Sequence, residues 1–269
     1  LTTLAFPAAA TTVVDPVGVL SALDVASSGG NLLFAYVSGL DIYGTRTSGT
    51  FGTPTANTLL VDGVDLAFRG FDLAPAAAGG WAVAYSDQLA TETDREVFLQ
   101  GIAASGMALD GAAFRTTDAT NETFPALAYD ATGDRLAMAW IDGTTARVNT
   151  FRLAGTGPGR AITAERLTPA VVVATATVPA YLLATPLVLD IAAGAITLVY
   201  AATSVESTRY DLATLASIGT GRVTVAYAGI ESVGVVTPVG TSGGRTTLLP
   251  ARAIANRDLS TRAFLLSCP

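Results

Sequence analysis

"DATGDRLAMAWIDG", residues 130–143, decides the fold. Asp, Thr and Gly crowded between two apolar runs favour a tight turn. "RLAMAWI" alternates small and bulky apolar side chains with the period of two that marks a strand. The phrase therefore reads as strand, turn, strand. Four looser copies recur: "GGNLLFAYVSG" ends its apolar burst at Tyr36, "GGWAVAYSD" at Tyr85, "GAITLVYAA" at Tyr200 and "GRVTVAYAG" at Tyr227, as the original does at Trp140. In each, Gly lies upstream, where a hairpin turn needs a positive φ.

Other parts of the unit recur with the burst. An earlier strand precedes it in "GFDLAP", "FPALAYD" and "TPLVLDI". A third strand follows in "DIYGTRTSG", "REVFLQGIAASG", "ARVNTFRLAG" and "VGVVTPVG", and a fourth segment, such as "AITAERLTP", completes the better copies. The aromatics are spaced by 49, 55, 60 and 27 residues, an uneven tandem array. Four short antiparallel strands cannot hide both faces of their sheet alone, whereas radial stacking covers them and leaves only short edges. The expectation is an all-β chain folded as a β-propeller of four-stranded antiparallel blades. Five blades are expected, with six as the alternative.

The whole chain, 1–269, is read as a single domain, with blade cores near 20–60, 64–118, 123–168, 186–211 and 212–250. Strands from both termini, 1–19 and 251–269, are expected to share one blade and close the ring. The small residues in "LAMAW" and "WAVAY" suit close approach of neighbouring blades, and the burst-ending aromatics read as packing between blades.

"DIYGTRTSGTFG", coupled to "DLAPAAAGGWAVAYSD" and "PALAYDATGDRLAMAWID", resembles the repeat of secreted bacterial β-propeller proteins. The resemblance covers residues 20–168 and, more loosely, 186–240. It implies the fold and a secreted or cell-surface setting, its members serving as adhesins, lectins, scaffolds and, less often, glycosidases. No basic leader precedes "LTTLAFPAAATTVV", so the expectation is that a leader peptide has been removed.

Composition excludes several chemistries. The chain has no histidine and one cysteine, Cys268. Ser-His-Asp and Cys-His catalysis, imidazole-ligated metals and thiolate clusters are therefore out. The formal net charge of −7 and the lack of a dense basic stripe argue against nucleic acid as a partner. Acidic residues concentrate in the first half, whereas Arg concentrates in the second, an asymmetry that fits self-association. The longest uncharged run, Leu167 to Leu189, contains Pro169, Pro179 and Pro186, which would break a membrane helix repeatedly, so no membrane span is expected.

On these grounds the expected function is a non-enzymatic extracellular or cell-surface binding or structural module, acting through protein–protein contacts or self-association. A lectin-like carbohydrate binder and a five-bladed-propeller glycoside hydrolase are the alternatives. No cofactor is expected except calcium, which oxygen ligands alone can hold. Asp130 and Asp134 in "DATGD" and Asp62 and Asp65 in "DGVD" are its candidate ligands, with Asp87, Glu92, Asp94 and Glu96 in "SDQLATETDRE" as a further acidic run. For the hydrolase alternative, similarity to arabinanase-type propellers points to Asp15 of "VVDPVGVL", because an Asp-Pro near the first blade belongs to their pattern. Asp72 and Asp190 lie on expected innermost strands. The sequence departs from that pattern in lacking a Trp-Ala-Pro-like phrase beside a second acid. Glu92, Glu96, Glu122, Glu165, Glu206 and Glu231 read as loop or edge positions. Trp81 and Trp140, the two tryptophans, fall inside second strands, which argues against an exposed sugar platform in every blade.

Overall fold

The computed structural model describes residues 20–50, 52–62, 70–76, 79–89, 91–109, 114–117, 119–154, 161–165, 169–173, 187–201, 204–219, 225–226, 232–236, 246–253, 259–261 and 264–266. Each of the first four repeats becomes one antiparallel sheet, and a fifth sheet follows. The first joins β1 (Leu20–Ser28), β2 (Asn31–Ser38), β3 (Asp41–Ser48) and β4 (Thr58–Val61) in that order. The second joins β5 (Phe71–Pro75), β6 (Trp81–Asp87), β7 (Glu96–Ile102) and β8 (Phe114–Arg115). In the third, β9 (Glu122–Asp130), β10 (Arg135–Asp142) and β11 (Thr145–Ala154) carry a broken outer strand, β12 (Ala161–Ala164) and β13 (Ala170–Val173), both paired to β11.

The fourth sheet repeats that device. Its strands are β14 (Leu187–Ala192), β15 (Ala195–Ala201) and β16 (Ser204–Asp211), with β17 (Ser217–Gly219) and β18 (Val225–Ala226) sharing the edge of β16. The fifth has β19 (Ser232–Val236) beside β20 (Thr246–Ala253), whose other edge takes β21 (Leu259–Thr261) and β22 (Phe264–Leu266). First strands lie against one another in succession: β1 on β5, β5 on β9, β9 on β14 and β14 on β19. They are the innermost strands. The architecture is a β-propeller.

The alternation in "WAVAY" and "LAMAW" now has a cause. On β6, Trp81, Val83 and Tyr85 pack with Leu33, Ala35, Val37 and Ile42 of the first blade, whereas Ala82 and Ala84 pack with Leu136, Met138 and Trp140 of the third. On β10 the same division holds, because Ala137, Ala139 and Ile141 turn to Leu187, Ile196, Leu198 and Tyr200 of the fourth blade. A blade thus presents its bulky face to the blade before it and its smaller face to the blade after. A period of two makes this unavoidable, since a one-residue slip would exchange the faces. Four of the burst-ending aromatics, Tyr36, Tyr85, Trp140 and Tyr200, are core, as read from the sequence, and Tyr227 lies outside the described residues.

Two readings of the last blade are corrected. Val225–Ala226, in the burst that ends at Tyr227, pairs with β16 on the fourth sheet and is not a second strand of the fifth. The stretch read as a third strand, "VGVVTPVG", contributes β19, which opens the fifth sheet. The true second strand there, β20 "TTLLPARA", has no aromatic, so an alignment on aromatics passed over it. The carboxy-terminal strands β21 and β22 do join this sheet, both on β20. The amino-terminal contribution to closure, 1–19, lies outside the described residues, as does Cys268.

Candidate active site

The innermost strands carry one ring position that the repeats mark: "LDVA" on β1, "FDLA" on β5, "PALA" on β9 and "LDIA" on β14. Asp24, Asp72, Ala126 and Asp190 hold it. Across the hairpin each faces a small residue on its second strand: Ala35, Ala84, Ala139 and Thr197, respectively. These positions belong to the smaller face, so a carboxyl placed there reaches toward the next blade.

Asp24 and Asp72 do so with the same geometry. In Asp24, Oδ1 accepts the N–H of Val25 at 2.7 Å and Oδ2 accepts the N–H of Leu73, on the next blade, at 2.9 Å. In Asp72, Oδ1 accepts the N–H of Leu73 at 3.0 Å and Oδ2 accepts the N–H of Leu127, one blade further, at 2.6 Å. The Leu73 amide is therefore shared by both carboxyls. Asp72 is half-buried as a residue, yet its carboxyl is enclosed by protein. Burial first, and then the neighbouring Asp24 carboxylate, hold its pKa well above the usual carboxylate range, against the opposing pull of the Leu127 and Leu73 amides.

A second acidic group ties the second and third blades. Glu122 opens β9 with no exposed surface, and Glu96 opens β7 with 2%. Both therefore depart from the loop and edge positions read from the sequence. Glu122 accepts a hydrogen bond from Thr116 Oγ1 at 3.3 Å, donates its backbone N–H to the Arg95 carbonyl at 2.8 Å and accepts Ser86 Oγ on its own carbonyl at 2.9 Å. Burial raises the pKa of Glu96, with Thr116 and Arg115 opposing and Asp94 and Glu92 adding to the rise. Arg115 pairs with Glu92, and Arg147 with Asp142. The Glu122 hydrogen bonds brace the third blade against the second, whereas each ion pair lies within one blade.

The calcium candidates are placed apart. Asp130 and Asp134 share the β9–β10 turn, where Asp130 accepts the N–H groups of Thr132 at 3.0 Å and Gly133 at 2.8 Å, and Asp134 accepts the Tyr129 hydroxyl at 3.0 Å. Asp62 follows β4 on the first blade. Asp65, like Asp15, lies outside the described residues. Among the described residues no three acidic or cysteine side chains converge as a metal site, and no helix is long and apolar enough to cross a membrane.

No family model matches the sequence, and no curated protein matches it. Solved structures do resemble the fold. An α-L-arabinofuranosidase from Fusarium graminearum, in complex with an iminosugar inhibitor, superposes with a TM-score of 0.57 at 11% identity, over 88% of this chain and 72% of that one. An exo-1,5-α-L-arabinanase from a bovine ruminal metagenomic library gives 0.48 at 8% identity, over 90% and 91% of the two chains. The α-L-arabinanase of Cellvibrio cellulosa gives 0.48 at 10%, over 91% and 90%.

The expectation of a non-enzymatic binding or structural module is corrected at this point. The α-L-arabinofuranosidase that the fold resembles at a TM-score of 0.57 is an enzyme, and the innermost strands carry two carboxyls that share one amide. Asp24 was missed in the sequence because it was sought by its neighbours, an Asp-Pro, and not by its place in the repeat. The shared "D-apolar-Ala" of "LDVA", "FDLA" and "LDIA" was the signal that could have found it.

Proposed function

We propose that this protein is a glycoside hydrolase whose acid is the Asp24–Asp72 pair on the innermost strands. The observation that supports the reading is the enclosed carboxyl of Asp72, whose pKa burial and the adjacent Asp24 carboxyl hold well above the usual carboxylate range. A carboxyl held above its usual range by burial beside a second carboxyl is a frequent mark of a functional acid.

The geometry limits how the pair works. Glycosidic cleavage needs two carboxyl groups on opposite sides of the scissile bond, about 5–5.5 Å apart for retention and about 6.5–9.5 Å for inversion. Asp24 and Asp72 cannot straddle a sugar, since both hold the same Leu73 amide. They act as one unit: Asp72, hydrogen-bonded to Asp24 before cleavage, passes its proton to the leaving oxygen and is left as a carboxylate. The opposing carboxylate must come from elsewhere on the ring, and Asp190 on β14 occupies the same repeat position two blades beyond Asp72.

The reading is tested with the purified chain on arabinan, xylan and the aryl glycosides of arabinose and xylose. Release of sugar is expected, and Asp72→Asn should lower it by about 100-fold or more, the usual worth of a positioned general acid. Unaltered turnover in that variant, or no release from any of these substrates, would overturn the proposal.

A further inference from the structure

At the inner rim of a propeller each first strand has a partner on one edge only, so its other amides need acceptors supplied from outside its own sheet. Here the acceptors come from the preceding blade. Asp24 closes its own backbone at Val25 and then takes the Leu73 amide of the second blade. Asp72 closes its own backbone at Leu73 and then takes the Leu127 amide of the third. The spacing repeats from blade to blade: Leu73 and Leu127 each follow the ring position directly, and the acceptor each time is the far oxygen of the preceding aspartate.

We propose that Asp24 and Asp72 form a relay of carboxyl clasps linking the first three blades, and that the proton shared between them sets how firmly those blades hold together. The inference deepens the hydrolase reading, because it gives the same pair a second role as an acidity sensor, and it stands on the hydrogen-bond geometry, with the raised Asp72 pKa in support. When Asp72 carries the proton, its hydroxyl donates to Asp24 while both carboxyls keep their amide partners. When both are ionised, two negative groups face each other across one N–H. Repulsion then acts across the joint between the first and second blades, and the clasp weakens.

The surroundings leave the pair to set its own response. Asp24 is the titratable group of β1. On β6 the residue opposite Asp72 is Ala84, with Asp87 at the far end of that strand. On β9 the facing segment is Ala126–Ala128, with Glu122 and Asp130 at the two ends. Asp190, on β14, lies beyond β9. Because the folded state binds this proton more tightly than the unfolded chain does, the stabilisation is full below the ordinary carboxylate range. It is lost as pH rises through the raised value of Asp72 in the folded protein.

Trp81 reports on this joint, since its indole N–H bonds the carbonyl of Ala26 on β1 at 3.0 Å. The test is thermal unfolding of the full chain, followed by tryptophan emission, from about pH 5 to about pH 8. The difference in Tm between the wild type and Asp72→Asn cancels the other titrating groups. Asn carries no titrating proton and keeps the Leu127 acceptor and a donor to Asp24 while giving up the Leu73 acceptor, so its Tm should be offset but level with pH, while that of the wild type falls by about 3 °C relative to it. Asp24→Asn should flatten the profile in the same way and serves if the first variant does not fold. Parallel profiles for the wild type and the soluble variants overturn the clasp. Neither measurement uses a substrate. Hydrolysis with parallel profiles therefore sinks the clasp alone, and flattened profiles without hydrolysis sink the enzyme alone.

Discussion

Trp81→Ala should cost this protein about 3–5 kcal/mol, the range for truncating a buried tryptophan. Set against a total stability of about 5–15 kcal/mol, that is enough to leave much of the chain unfolded at physiological temperature. Trp81 is 1% exposed and sits on the bulky face of β6, among Leu33, Ala35, Val37 and Ile42 of the first blade. Its indole fills the joint between two sheets that have no strand pairing to each other, so the hole left by alanine opens an interface and cannot be closed by a small shift within one sheet. The indole N–H is also the donor to Ala26 across that joint. Trp81→Phe separates the two contributions. It keeps most of the apolar contact, loses the hydrogen bond and leaves a carbonyl unsatisfied, at about 1–3 kcal/mol. Chemical denaturation of the three proteins measures both steps, and a phenylalanine variant as unstable as the alanine one would show that packing across the blades is not what the tryptophan contributes.

The same residue shows how much of the fold could be read from the sequence. "WAVAY" and "LAMAW" announce a strand and hint at two unlike faces. Which face meets which blade follows only once neighbouring sheets are in place, because alternation is symmetric until a neighbour breaks the symmetry. Repeats with a burst-ending aromatic were found correctly through Tyr200. The aromatic marker is missing from the fifth sheet, where β20 "TTLLPARA" carries threonine, leucine and a proline but no ring. An aromatic there is dispensable to strand pairing, which depends on the backbone, so the marker and the element part company.

The acids show a different limit. Glu96 and Glu122 look like solvated turn residues in "TDREVF" and "TNETFP", since charge next to Thr and Asn usually means surface. Glu122 begins β9 against the preceding blade, whose Thr116, Ser86 and Arg95 carbonyl supply its partners, and Glu96 begins β7 beside Thr116 of its own blade. No local pattern encodes a partner that lies in the neighbouring blade. Asp24 and Asp72 are legible in principle, because there the repeat itself carries the information.

Gly29→Ala should destabilise the protein far more than Gly30→Ala, although the two glycines are adjacent in the same β1–β2 turn. Both have positive φ, +56° and +77°, so alanine at either position pays the left-handed strain of about 1–2 kcal/mol. At Gly30 nothing lies within 4 Å of where a Cβ would stand, and the cost ends there. At Gly29 that Cβ would stand 2.8 Å from the Cα of Gly79, in the turn of the second blade. Backbone meets backbone, and no side-chain rotamer can relieve the contact. Relief requires the first two blades to separate where Trp81 and the Asp24 carboxyl hold them together. The added cost is of the order of overpacking a core, about 1–3 kcal/mol. It should also appear as a red shift in Trp81 emission that Gly30→Ala does not produce. Equal losses in the two variants would mean that the blades are free to part at this point, and the tight Gly29–Gly79 approach would then have no part in holding the first blade to the second.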